Sequence, residues 1–86
     1  MSYSVILPTL NEAGHIADLI KKINSVFLEI NEKFEIIVVD DSSSDGTDKL
    51  CNEMIEEFEN LKFFSRKGLK KNLANSINLG IQKSIY

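Results

Sequence analysis

The stretch Glu35-Ile-Ile-Val-Val-Asp-Asp-Ser-Ser-Ser-Asp-Gly-Thr47 constrains what this chain can fold into more than any other. Ile36 to Val39 offer no polar face, as expected of a strand covered on both sides in a parallel sheet. The strand runs straight into Asp40 and Asp41, then a serine-rich turn, then Asp45-Gly46-Thr47, which opens a helix. Open α/β sheets bind ligands outside the carboxyl ends of their strands, so an acidic pair there marks a candidate site. Successive strand side chains point to opposite faces, so the two carboxylates cannot share one task. One can turn back onto local amides while the other accepts a ligand N–H or hydroxyl. Turn capping alone would also use two adjacent acids, and a magnesium site would need further oxygens.

The rest of the chain supplies alternating elements. Tyr3 to Leu7 is a short apolar run ended by Pro8, and it reads as the first strand. Asn11 is placed to cap a helix whose first turn holds Glu12. Ile16, Leu19, Ile20, Ile23, Val26, Phe27 and Ile30 recur at three- and four-residue steps, predicting a helix that ends near Asn31. Phe34 to Val39 is the second strand. Asp45 is placed to cap a second helix containing Leu50, Cys51, Met54, Ile55 and Phe58. Leu61 to Ser65 makes a third strand, and Leu73, Ile77, Ile81 and Ile85 step by four through a third helix from about Lys70.

The order β-α-β-α-β-α, with short connections, predicts an α/β fold in three layers around a parallel three-stranded half-sheet of order 3-2-1. The second strand is then central, and the outer edge of the first strand is left unpaired. Eighty-six residues make one domain at most, and a chain this short buries only about 60–65% of its unfolded surface. No apolar run approaches the roughly 20 residues that span a bilayer. The N-terminus lacks the basic region and small-residue cleavage site of a secretion signal. A single cysteine, Cys51, forms no internal disulfide, which suits a reducing cytoplasm, and its place beside Leu50 and Met54 is that of a packed thiol.

The net charge of −3 hides an asymmetry. Residues 1–59 hold all thirteen acids and four lysines, a balance of −9. Residues 60–86 hold Lys62, Arg66, Lys67, Lys70, Lys71 and Lys83 with no acid, a balance of +6. A basic last third beside an acidic strand end can bring positive charge to a phosphate, although a solvated helix face would look the same. Neither a Gly-x-Gly-x-x-Gly nor a Gly-x4-Gly-Lys-Ser/Thr motif is present, so a dinucleotide or P-loop cradle is excluded. The one histidine, His15, falls in the first turn of the first helix with no second His or Cys for a metal site, and no Ser-His-Asp set can be built. Glu12 alone is as good a helix-start carboxylate as a ligand contact.

Ser4-Val-Ile-Leu-Pro-Thr-Leu-Asn-Glu12, followed by Glu35 to Thr47 and the basic segment before the third helix, resembles the inverting family 2 glycosyltransferases of GT-A fold. Within that family the likeness is nearest to the polyprenol-phosphate (dolichol-phosphate) mannosyltransferase branch. That branch carries Pro-x-Tyr-Asn-Glu and Val-Asp-Asp-x-Ser-x-Asp-Gly-Thr motifs, and the match runs over nearly the whole chain. The resemblance implies that Pro8, Leu10 and Glu12 line a nucleotide pocket, that Val39 and Asp41 contact base and ribose, and that Asp45 and Gly46 shape the turn. Lys70 and Lys71 fall where the family has basic residues near the diphosphate. It implies a nucleoside-diphosphate sugar donor, GDP- or UDP-linked, no nucleic acid, and a lipid-phosphate or other acceptor at the cytoplasmic membrane face. Mannose is the sugar suggested by the branch.

The sequence departs from the family at several points. Leu10 replaces a tyrosine whose ring would stack on the base. The family's Gly-Leu-Gly appears as Asn72-Leu73-Ala74, or one turn earlier as Gly68-Leu69-Lys70. The Asp-x-Asp that holds magnesium or manganese in the complete family domain would lie on the next strand, past Tyr86. Residues 1–86 therefore read as an N-terminal nucleotide-binding part, incomplete, with no catalytic residue and no metal held by this chain alone. Nucleotide binding without turnover is the expectation. The alternative is a non-catalytic remnant or split subunit that pairs with a separate C-terminal half, or with itself, through the open sheet edge. A phosphoacceptor receiver domain also has an Ile-Val-Val-Asp-Asp strand, but it needs a later strand-end aspartate, and no acid follows Glu59.

Overall fold

The computed structural model describes residues 1–11, 13–41, 45–66 and 72–86, the side chain of Leu73 excepted. Six elements follow in the expected order: β1 (Ser2–Thr9), α1 (Ile16–Glu29), β2 (Lys33–Asp40), α2 (Thr47–Glu57), β3 (Leu61–Ser65) and α3 (Leu73–Lys83). The three strands are parallel in the order β1-β2-β3, so β2 is central as expected. Ile36 and Val38 of β2 join Ile16 and Ile20 of α1, Cys51 and Met54 of α2, and Leu61 of β3 in one buried cluster. Strand alternation turns Ile37 and Val39 to the other face, and both are fully buried there, where α3 packs on β1 and β2. This is a three-layer α/β arrangement.

Three boundaries differ from expectation, each for a physical reason. β1 does not stop at Pro8 but pairs through it, with Pro8 opposite Val39 and Thr9 opposite Asp40. Asp41 N–H donates to the Thr9 carbonyl at 2.8 Å, so Thr9 faces β2 and the Pro8 nitrogen faces the free edge. An imino acid costs no ladder bond on that side. Asn11 does not cap α1; it takes a left-handed φ of 54°, and the helix begins at Ile16 behind His15. α2 formally begins behind Gly46, whose φ of 92° suits glycine, and Asp45 caps from one position earlier.

α3 buries a different side from the one its stepped isoleucines suggest. Ser76 and Gly80 face the sheet and are buried, while Ile77 and Ile81 are 37% and 56% exposed. Small residues let the helix axis approach β1 closely, which turns the isoleucines outward. At the amino ends of the strands, the buried Glu35 carboxylate gathers the layers. Oε2 accepts from Ser4 Oγ at 2.6 Å and from the Ile85 backbone N–H at 2.7 Å. Lys62 Nζ stands 2.7 Å from Oε1, an ion pair off the alignment of a hydrogen bond. Burial raises the Glu35 pKa, but the Lys62 ammonium and the Ser4 and Ile85 donors outweigh it, and the net shift is downward.

Candidate nucleotide site at the strand ends

The carboxyl ends of β1 and β2 are cross-linked by their own side chains. Thr9 and Asp40 are register partners on the α1 face, and Thr9 Oγ1 donates to Asp40 Oδ1 at 2.8 Å. Asp40 is fully buried, so it serves the scaffold. Asp41, one residue on, turns to the α3 face, as alternation requires. Its Oδ1 accepts from Arg66 Nη1 at 2.8 Å and its Oδ2 from the Asn72 backbone N–H at 2.7 Å. Both acids therefore have local partners, and the expected division between a turned-back acid and a free acceptor is less clean than strand alternation suggested.

The loop after β1 is tied to the start of α2 through Asp45. Oδ2 accepts from the Ala13 N–H at 3.1 Å, and Oδ1 accepts from the Thr47 N–H at 3.1 Å and from the Thr47 hydroxyl. The Thr47 hydroxyl is the main cause holding the Asp45 pKa below its ordinary value, with the Ala13 and Thr47 amides adding to it against some desolvation. The Asp-Gly-Thr sequence thus folds as a side-chain cap joined to a glycine turn, and it brings the two ligand-side loops together.

The expected site residues are distributed unevenly over this geometry. Pro8, at the end of β1, shares a cleft of about 240 Å³ with Leu7, Thr9, His15, Ile16 and Leu19. Leu10 is exposed just beyond the strand. Val39 is fully buried within β2, and its side chain is closed to a ligand. Asp41 and Asp45 stand at the strand end and the helix start. Glu12, Lys70 and Lys71 lie outside the described residues.

Arg66 was not singled out by the sequence pattern, yet its side chain reaches Asp41, Asn72 and Ser76 at this end of the sheet. Nη1 also donates to the Asn72 carbonyl at 3.0 Å and to Ser76 Oγ at 3.3 Å, and its backbone N–H donates to the Asp40 carbonyl at 2.8 Å. Two signals could have found it: it is the chain's only arginine, and the register Asp40 opposite Ser65 sets residue 66 beside residue 41. The other described bases of the last third are also engaged, Lys62 with Glu35 and Lys83 over the Phe64 ring at 5.5 Å.

A divalent metal does not fit the described residues. Among them no three His, Cys, Asp or Glu side chains gather. Both Asp41 oxygens already accept hydrogen bonds, and the Arg66 guanidinium 2.8 Å from Oδ1 would repel a second cation there. Among the described residues no helix is long and apolar enough to cross a membrane.

The chain is 31% identical over 84 residues to the dolichol-phosphate mannosyltransferase of Pyrococcus furiosus, covering 98% of this chain and 23% of that protein. It is 34% identical over 53 residues to the undecaprenyl-phosphate 4-deoxy-4-formamido-L-arabinose transferase of Pseudomonas aeruginosa, covering 62% of this chain and 16% of that one. The crystal structure of S. aureus TarS 1-349 superposes with a TM-score of 0.76 at 28% identity, over 98% of this chain and 24% of TarS. The chain thus spans a quarter or less of the length of these relatives. Its parallel half-sheet, helices on both faces, is the GT-A arrangement. The profile of glycosyl transferase family 2 matches residues 4–85, and the chain belongs to that family.

Proposed function

We propose that residues 1–86 form the donor-nucleotide part of a sugar transferase, one incomplete domain that binds a nucleoside-diphosphate sugar at the carboxyl ends of β1 and β2. The observation that carries this is the locked pair of strand ends: Thr9 to Asp40 and Asp41 to Thr9 hold the first loop beside the second, with Asp41 directly after β2. Pro8 and Leu10 line one side of the pocket, and the family resemblance assigns Glu12 the same nucleotide-contacting role. Val39 contributes through its backbone and Asp41 through its remaining lone pairs, while the family resemblance assigns Lys70 and Lys71 to the diphosphate. Asp45 acts by holding the two loops together. Two relatives are named for polyprenol-phosphate transfer, which supports a lipid-phosphate acceptor and a place at the cytoplasmic membrane face for the complete enzyme. Mannose, on a GDP carrier, is the sugar this likeness favours, with a UDP carrier the competing choice.

The test is a two-dimensional amide NMR titration of the 86-residue chain with GDP and with UDP. Shifts confined to residues 8–12 and 39–46 support the proposal and name the base. Dispersed peaks that ignore both nucleotides reject it.

One observation favours a second reading, a non-catalytic half that pairs with another polypeptide or with itself. β1 is an edge strand without a charged residue, and Ile77, Ile81 and Ile85 of the last helix and tail stand exposed. Uncharged edges with apolar neighbours invite strand pairing.

A further inference from the structure

Arg66 and Asp41 are 7% and 6% exposed, an ion pair almost wholly withdrawn from water at the ligand end of the sheet. The pair also reaches across a gap in sequence. Arg66 and Asn72 flank residues 67–71, and the two are joined directly by Arg66 Nη1 to the Asn72 carbonyl and indirectly through Asp41. Asn72 is in turn the N-cap of α3, its side chain accepting from the Asn75 N–H at 3.0 Å. A third contact, Arg66 to Ser76 Oγ, lies one helical turn inside α3. One guanidinium nitrogen therefore meets a carboxylate, the residue that caps α3 and a residue one turn inside that helix.

We propose that Arg66 is a positioning residue for the donor site: it acts on nucleotide binding through Asp41 and Asn72, by holding the carboxylate and the α3 N-terminus in one arrangement. The proposal rests on the nucleotide-binding function above, but its structural half does not. Without Arg66 the Asp41 carboxylate would be buried with no countercharge among the described residues and would turn toward water, releasing the Asn72 N–H. An acceptor displaced in this way no longer meets a ligand donor at hydrogen-bond distance.

Two measurements on the full chain test it. Amide exchange without ligand compares wild type with Arg66→Met, or with Arg66→Gln if the methionine variant does not fold. Asn72 should exchange at least about tenfold faster while Ile37 and Val38 in central β2 stay unchanged. Equal Asn72 exchange in variant and wild type overturns the proposal. The second measurement is GDP and UDP affinity with the Arg66 side-chain NMR signal followed alongside. Arg66→Met should weaken binding at least about tenfold and Arg66→Lys by no more than about threefold, because an ammonium still offers charge and donors. The Arg66 guanidinium signal should stay in place on saturation. A variant that melts earlier yet binds as wild type shows a purely structural role and overturns the proposal; a guanidinium signal that moves as directly as Asp41 also overturns it, in favour of contact. A wild-type chain that binds neither nucleotide, with Asn72 protection still dependent on Arg66, rejects the donor-site function and leaves the positioning role standing.

Discussion

Gly80 of α3 meets Ile6 of β1 so closely that a β-carbon built on the glycine would lie 2.5 Å from Ile6 Cγ2. The neighbouring Ile6 Cγ1 and Cβ stand at 3.3 and 3.4 Å from the same point, so a β-branched strand residue, not a flexible tip, blocks it. Gly80→Ala in a free helix would gain about 1 kcal/mol, while overpacking of this kind costs roughly 1–3 kcal/mol. A net loss of about 1 kcal/mol is expected from the same comparison, read as a lower urea midpoint at unchanged slope. A higher midpoint would show that α3 is free to move off the sheet.

Glu35 should govern part of the acid sensitivity. Its folded pKa lies below the ordinary 4.5, so its contribution is fully present above that value and is lost as pH falls through the lower folded one. Glu35→Gln should be less stable than wild type at neutral pH and should converge with it in strong acid. Parallel stability curves from neutrality down to acid would mean the carboxylate carries no net charge-dependent stabilisation.

Cys51 should be inert until the fold opens. Burial, with added repulsion from Asp40 and Asp48, pushes its thiol up to about 11, and the thiolate is the reactive form. Labelling by a thiol reagent at about pH 8 should follow the unfolded fraction across a urea series. Prompt labelling in native buffer would place Cys51 outside the core.

The exposed isoleucines of α3 should promote self-association. Sedimentation of wild type should depend on concentration, and Ile81→Lys should move the population toward monomer without lowering the melting temperature. Equal sedimentation of the two proteins would remove this stripe as an interface.

The fold was legible where pattern and burial coincide. The uninterrupted run from Ile36 to Val39 foretold a central strand, and β3 matches its expected limits, Leu61 and Ser65. Boundaries failed where a local signal met a tertiary fact. Pro8 normally ends a strand, but the edge it occupies asks for no donor there; Asn11 has capping chemistry, but its left-handed backbone turns the chain before any helix forms. The α3 stripe misled for a third reason: periodicity reports that a helix has an apolar side, not which side a sheet will claim, and the contact went to Ser76 and Gly80. At the candidate site the acidic motif was plain, because Asp40 and Asp41 follow an unbroken apolar run directly. Arg66 was hidden because its meaning depends on strand register, which no window along one strand contains.

Pro8 also limits how the sheet can grow. A visiting strand laid along β1 would find outward amide hydrogens at Ser4 and Ile6, then a ring with none to give at Pro8. Growth is thereby directed to the amino-terminal stretch of the edge and halted at Pro8, one residue short of the Asp40 level. The proline works as a bumper: whatever joins this sheet sideways is stopped before it can shut the doorway beside Asp41.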